Sequence, residues 1–400
     1  MYCSSLSLTN FRNYKQLDVE LPNGPILVLG PNASGKTTLL EALYLLATTK
    51  SHRTNTDREL VNWNARAELG VPPFARVAAG VQRRGTQNLE IIVIREGTTE
   101  QDQGMARKRI KVNNLPRRAI DVIGQVNAVM FSPQDLDLIV GSPSLRRRYL
   151  DITISQIDPH YVRTLQTYQK IVLQRNSLLR SLADRGRRPG VNGDSDQLTY
   201  WDEELVRNGA YLLRRRLEVV GHLNRLADGL HARLAGTGEA LEVLYRSSIS
   251  DQTVPPTDVP DEEALRECYA KRLRSSRTEE LRRAVTLAGP HRDDISFTVG
   301  GVDMGTYGSR GQQRSVILAV KLAEVELMQE ATGEMPLLLL DDVVSELDPE
   351  RRRYLLEAVL ERRQQVLVTA TDLIPVGREF LSRASLFETT SGGGLQARGR

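Results

Sequence analysis

The sequence predicts an α/β fold assembled from the two ends of the chain, with a long helical insertion between them. Three observations carry this. Gly30-Pro31-Asn32-Ala33-Ser34-Gly35-Lys36-Thr37 fits G-x-x-x-x-G-K-[ST], a loop whose backbone N–H groups wrap phosphates. Leu337 to Leu340 followed by Asp341 and Asp342 has the form of a fully buried parallel strand ending in a carboxylate. Lys36 and Asp341 are 305 positions apart, and most of that interval has helical texture.

The elements follow in order. Leu6 to Phe11 and Leu17 to Leu21 alternate apolar with polar residues, as half-buried strands do. Pro25 to Leu29 is a short apolar run suited to a buried strand feeding the glycine loop, and Thr38 to Leu43 opens a helix. That helix N-terminus adds its positive dipole end to the loop amides. Gly30 to Thr38 would therefore cradle the phosphates, with Lys36 reaching the β/γ-phosphates and Thr37 ligating Mg²⁺. Ala75 to Val81, Leu89 to Ile94 and Arg109 to Val112 add strands.

From Asp135 the texture turns helical. Asp158-Pro159 starts a helix. Tyr161, Leu165, Tyr168, Val172, Leu179 and Leu182 keep a 3–4 rhythm, broken only by Arg175. Arg185 to Gln197 reads as a loop, and a second amphipathic stretch runs from Leu205 to Leu234. Two such helices of about 25–35 residues, or roughly 40–50 Å, predict an antiparallel arm. Val254 to Pro260 is a connector and Glu262 to Arg283 another helix. Ile295 to Val299 is a strand, Ser315 to Glu330 a helix, and Val366 to Val368 a short buried strand. The expected organisation is residues 1–134 and 286–390 for the α/β part, 135–285 for the helical insertion, and 391–400 as a flexible tail.

Four hundred residues, 40% hydrophobic and 26% charged, are globular values sufficient for two or three domains. No apolar run reaches the roughly 18 residues of a membrane span, and the N-terminus lacks a charged-then-apolar leader. Cys3 and Cys268 give neither a disulfide framework nor metal spacing. His52, His160, His222 and His231 show no ligand spacing either. These features point to a soluble cytoplasmic protein. The net charge of +4 hides an asymmetry: residues 101–190 carry +9 and the remainder −5. A basic segment of this kind points to a polyanion. Arg107, Lys108, Arg109, Arg146, Arg147 and Arg148 are the candidate phosphate contacts.

Leu340-Asp341-Asp342 completes the chemistry that the glycine loop requires. A hard cation such as Mg²⁺ wants oxygen ligands, which Asp341 can orient. Asp342, just past the strand end, is placed as the base holding an attacking water.

With these motifs in hand, the chain resembles the ABC-type ATPases of the SMC group, and within them the bacterial recombination-repair RecF family. The resemblance covers nearly the whole chain. It rests on Leu8 to Tyr14, the phosphate loop, Phe131 to Leu136, Gly289 to Asp294, Ser309 to Arg314, and Asp341 to Asp348. It implies an ABC-type P-loop ATPase domain with an inserted helical arm. Ser309-Arg310-Gly311-Gln312-Gln313 would be the signature motif, a serine hydroxyl and glycine amide at a helix N-terminus. In the family this motif caps the γ-phosphate of ATP bound to the other subunit. Ser345 to Asp348 resembles the D-loop, Gln134 occupies a plausible Q-loop position, and Arg12 and Asn13 would approach the nucleotide. The block around His291 receives no chemical role.

The resemblance further implies a weak, DNA-stimulated ATPase that dimerises on ATP, binds DNA at single-strand gaps and releases it on slow hydrolysis. Partners would be DNA, a second copy, RecR and RecO, with roles in replication restart and SOS induction. Two departures from transporter-type ABC ATPases support slow turnover. No histidine follows His291, so Val368-Thr369-Ala370-Thr371-Asp372 stands where the switch histidine would be, and Asp342 replaces the usual glutamate. A transporter subunit would need a shorter insertion and that histidine. A small-molecule phosphotransferase would need neither the arm nor Ser309 to Gln313, and a structural coiled coil would need no ATP site.

Overall fold

The computed structural model describes the chain except for residues 68–69, 84, 97–105, 185–193, 237, 251–258, 363, 391–393 and 399–400, with only the backbone described for 194–196. It forms two compact units, one of residues 1–135 and 324–400 and the other of residues 136–323.

The first unit is built on two six-stranded sheets. One is antiparallel, in the order Tyr14–Glu20, Tyr2–Phe11, Phe74–Gln82, Thr86–Arg95, Ala106–Val112, Leu115–Arg117. The other runs Gly394–Ala397, Ser385–Thr390, Pro25–Leu29, Val366–Ala370, Leu337–Asp341, Ala128–Phe131. All pairings in this second sheet are parallel except the first. Its central strands are buried almost throughout and largely apolar, as strands of sheets covered on both faces are. The helix Lys36–Thr48 packs between the sheets, with eleven of its thirteen residues buried. Its leucines join Leu6, Leu8, Val77 and Ile91 of the antiparallel sheet with Ile26, Val28 and Leu339 of the parallel one. This sandwich fixes the start of the helix, and so the glycine loop.

In the second unit the helices Pro159–Asp184 and Asp194–Ala235 are 26 and 42 residues long. They run antiparallel, since Tyr161 meets Arg216 while Arg175 meets Asp202. The second helix is longer than the rhythm suggested. Part of the expected Arg185–Gln197 loop is its first turn, and the rest of that loop lies outside the described residues. Most of the Val254–Pro260 connector lies outside them too.

Arg175, which interrupted the apolar rhythm, is fully buried and bonded to Asp202, Glu280 and Thr286 at 2.6–2.8 Å. A charge that deep is tolerable only when paired on several sides. The Gly289–Asp294 block has a similar structural task. Tyr168 and Tyr269 meet over Gly289, where a Cβ would lie 1.9 Å from the Tyr269 hydroxyl. His291 Nδ1 bonds Tyr168, Asp293 accepts from Tyr245 and Ser248, and Asp294 pairs with Arg146.

The units divide at 135/136 and 323/324, against the 134/135 and 285/286 read from the sequence. The reason is that Asp294–Val299 pairs with Leu241–Arg246 and receives the helix Pro143–Ile157. Residues after 286 thereby join the helical unit. The expected tail is corrected at Gly394–Ala397, a strand paired with Ser385–Thr390.

Candidate functional site

The phosphate loop connects the strand Pro25–Leu29 to the helix Lys36–Thr48. Two of its glycines are required by contact. A Cβ on Gly30 would lie 1.8 Å from Thr389 Oγ1, and one on Gly35 would lie 2.8 Å from both Asn13 Nδ2 and the Tyr14 hydroxyl. Gly35 also has φ 107°, a conformation open chiefly to glycine. Thr389 donates to Leu29 O and lies 2.7 Å from Ser34 Oγ, so the strand Ser385–Thr390 braces the loop from behind.

A polar cavity of about 420 Å³ opens over the loop. Asn13, Asn32, Ala33, Gly35, Lys36, Thr37 and Thr38 line it from the loop side, and Asp341 and Asp342 face them from the end of the strand Leu337–Asp341. Lys36 Nζ donates to Gly30 O and Pro31 O at 2.7 and 2.8 Å, and burial holds its pKa below the usual lysine value. Thr37 Oγ1 donates to Asp341 Oδ1 at 2.9 Å, so the two half-sites foreseen in the sequence meet. Burial pushes the Asp341 carboxyl above its ordinary pKa, while hydroxyl bonds from Thr37 and Thr369 pull the other way. Asp342 has φ 53° and its N–H donates to Thr369 Oγ1. Ser345 Oγ lies 2.7 Å from Asp342 Oδ1. Asp348 caps the helix Pro349–Glu361 by accepting the Glu350 and Arg351 amides.

The donor set in the cavity is hydroxyl and carboxylate oxygen, which fits Mg²⁺. Among the described residues no cluster of three or more His, Cys, Asp or Glu could hold a metal by itself. The oxygens of Thr37 and Asp341 would share the ion with a phosphate ligand.

The remaining candidates divide between the cavity wall and other parts of the fold. Arg12 lines the cavity, but its guanidinium grips the fully buried Glu41 at 2.7 and 3.1 Å and the Glu59 carbonyl at 3.0 Å. It braces the helix behind the phosphate loop. Gln134 is exposed beyond the end of the strand Ala128–Phe131, outside the lining of the cavity. In the second unit, Ser309 precedes the helix Arg310–Thr332, which it caps reciprocally with Gln312: Ser309 N–H to Gln312 Oε1 at 2.9 Å, Gln312 N–H to Ser309 Oγ at 3.3 Å. Gly311 faces open space, and Gln313 is buried with its amide on Met304 O.

The basic candidates need correction. Arg146 forks onto Asp294 at 2.7 and 2.9 Å, Arg147 donates to Asp293 O, and Lys108 bonds Thr49 O and Asp57. Arg148 is half-buried. Arg107 and Arg109 are the members of the set that remain exposed. Sequence reasoning missed Arg53 and Trp63, which line the cavity, and Thr369, which holds both acids. A lone tryptophan in a polar loop was the available signal for Trp63. For Thr369 the signal was its place in Val368 to Asp372, the segment standing where a switch histidine would be, although nothing in the sequence ties its hydroxyl to the two acids.

A glycine loop opening a helix between an antiparallel and a parallel sheet, faced by a strand-end acid pair, defines a P-loop ATPase of the ABC type. The RecF/RecN/SMC N-terminal domain family matches residues 2–376. The DNA replication and repair protein RecF of Chloroflexus aggregans is 49% identical over 400 residues, covering 98% of this chain and 99% of its own. RecF of Roseiflexus castenholzii is 47% identical with the same coverage. The solved structure of the recombination mediator protein RecF with ATP, in the RecFOR pathway, superposes with a TM-score of 0.84 at 32% identity, over 100% of this chain and 98% of its own. The Pyrococcus furiosus Smc head domain shares the fold at TM-score 0.52 and 14% identity. The chain belongs to the RecF family.

Proposed function

We propose that this chain is an ATP-dependent DNA-binding protein of recombinational repair, dimerising on ATP and releasing DNA on slow hydrolysis. The observation that carries the reading is the Thr37–Asp341 hydrogen bond, which joins a complete phosphate loop to a strand-end acid pair. Lys36 and the loop amides take the β/γ-phosphates of ATP, trading the Gly30 and Pro31 carbonyls for phosphate oxygens. Thr37 and Asp341 hold Mg²⁺, which when bound neutralises charge developing on the transferred phosphoryl group. Asp342 orients the attacking water and accepts its proton. Ser309 and Gly311 of a second copy cap the γ-phosphate, and the Gln134 segment reports on the nucleotide. Residues 286–323 thus serve the ATPase although they fold with the helical unit.

DNA contact falls to exposed cations such as Arg107 and Arg109. RecR and RecO are the partners that the family suggests, in the cytoplasm, at gapped DNA. Among the described residues no helix is long and apolar enough to cross a membrane. Sizing the protein with ATP and Mg²⁺, alone and with gapped DNA, tests the reading. A dimer that forms only with ATP and binds gapped DNA supports it, and a monomer throughout would overturn it.

A further inference from the structure

Trp63 is an anomaly. It is 73% exposed, although tryptophan is among the side chains for which exposure to water is most costly. It lines the phosphate cavity, and with Arg12, Asn13, Asn32 and Ala33 it also lines an adjoining cavity of about 680 Å³. Among the lining residues of both cavities it is the only aromatic.

Its position is fixed by the backbone. Val61 bridges Phe11, and the Asn62 N–H donates to Asn10 O at 2.8 Å. Asn62 Oδ1 then accepts the Asn64 N–H at 2.8 Å, and Ala65 N–H returns to Asn62 O at 3.0 Å. The side chain of Asn62 is buried, so this turn is tied down on both sides of the indole. A large flat side chain carried on a hydrogen-bonded turn, beside phosphate-binding groups, is a surface for another flat ring.

We propose that Trp63 is the stacking platform for the base of the bound nucleoside triphosphate. The proposal rests on the reading of the loop as an ATP site and adds the group that distinguishes a nucleotide from a bare polyphosphate. The phosphate machinery of Lys36, Thr37, Asp341 and Asp342 has no means of that distinction, since it touches only oxygen and metal. Stacking on an aromatic face is sequence-tolerant and typically changes binding by roughly 5- to 100-fold. The tied-down backbone of the turn reduces the entropy lost in ordering the platform.

The chain has two tryptophans, so Trp201→Phe leaves Trp63 as the sole indole. With Mg²⁺ present, ATP should quench its fluorescence, while inorganic tripolyphosphate should compete for the site without quenching. In the otherwise natural chain, Trp63→Ala should weaken ATP binding roughly 5- to 100-fold and leave tripolyphosphate affinity unchanged, with Trp63→Phe recovering most of the loss. Equal weakening of both compounds, or unchanged ATP affinity with loss of dimer or of DNA binding, would overturn the proposal and assign Trp63 to the pocket wall or to an interface. Failure of either compound to bind the natural chain would remove the ATP-site reading, and this proposal with it.

Discussion

Thr369 Oγ1 donates to Asp341 Oδ1 at 3.0 Å while accepting the Asp342 N–H at 2.9 Å, so a single hydroxyl on the neighbouring strand holds both acids of the site. Thr369 is fully buried and lies directly across the parallel pairing from Asp341. Asp342 sits at φ 53°, a left-handed conformation that aspartate tolerates but that must be held by its surroundings. Thr369→Val keeps the shape and removes both hydrogen bonds. It should lower Mg²⁺ affinity or the hydrolysis rate by about 10- to 100-fold, the usual effect of losing a group that orients a metal ligand. ATP binding through Lys36 should persist, and Thr369→Ser should recover most activity. Magnesium titrations of phosphate release check this, and wild-type kinetics in the valine variant would refute it.

Asp342→Asn separates metal anchoring from water activation, because Asp341 keeps its bond to Thr37. Removing a general base typically costs about 10²- to 10⁴-fold in rate. ATP binding should remain and the ATP-bound dimer should accumulate, visible by sizing. Hydrolysis at the natural rate would place the base elsewhere.

The exposed and the buried arginines of the basic segment should separate in mutagenesis. Arg107→Ala and Arg109→Ala should each reduce the slope of log affinity for DNA against log salt by about 1, without loss of stability. Arg146→Ala leaves Asp294 unpaired and should cost about 3 kcal/mol of folding stability. Thermal melts alongside binding at several salt concentrations distinguish the two outcomes.

The buried His291 makes stability depend on pH. Burial pulls its pKa down to about 4. Its Nδ1 lies 2.8 Å from the Tyr168 hydroxyl and its Nε2 faces the Thr286 carbonyl, so the neutral ring is satisfied as it stands. The unfolded chain takes up this proton near pH 6.5 and the folded chain only near 4. The contribution is therefore whole above pH 6.5 and declines as pH falls toward 4, by about 3 kcal/mol in all. Asp293, raised by burial, acts in the opposite sense in the same network. The test is the difference in denaturation midpoint between wild type and His291→Gln across pH 8 to 4.5: the wild type should lose more stability toward acid, and parallel curves would exclude His291 as the source.

What could be read in advance follows from the range of each signal. Strands and helices with strong period were legible, as was the phosphate loop, because each is written in contiguous residues. Arg175 looked like a flaw in the rhythm of one helix. Its partners Asp202, Glu280 and Thr286 come from three other segments, so only the fold reveals a buried ion cluster. Arg146 looked like a surface cation for the same reason, since Asp294 is 148 positions away. Gly394–Ala397 looked like a tail, being glycine-led and polar, yet an edge strand needs little apolar content when its neighbour supplies the ladder.

The signature helix supports the last prediction. Ser309 and Gln312 close a capping box, and Gly311 faces open space, so the helix start is preformed before any anion arrives. If it acts on ATP held by Lys36 of another copy, each composite site takes one half from each chain. Lys36→Ala removes one half and Ser309→Arg fills the other with a bulky cation, so each homodimer lacks a half at both sites and should not hydrolyse ATP. Mixing the two variants yields heterodimers with one doubly defective site and one intact site. Phosphate release should then rise to as much as about half the natural rate per heterodimer, provided the two sites fire independently. The measurement is steady-state phosphate release across mixing ratios with DNA present. Full activity in Ser309→Arg alone would exclude action across the dimer. If ATP still assembles the mixed dimer but no activity returns, the two sites fire only together.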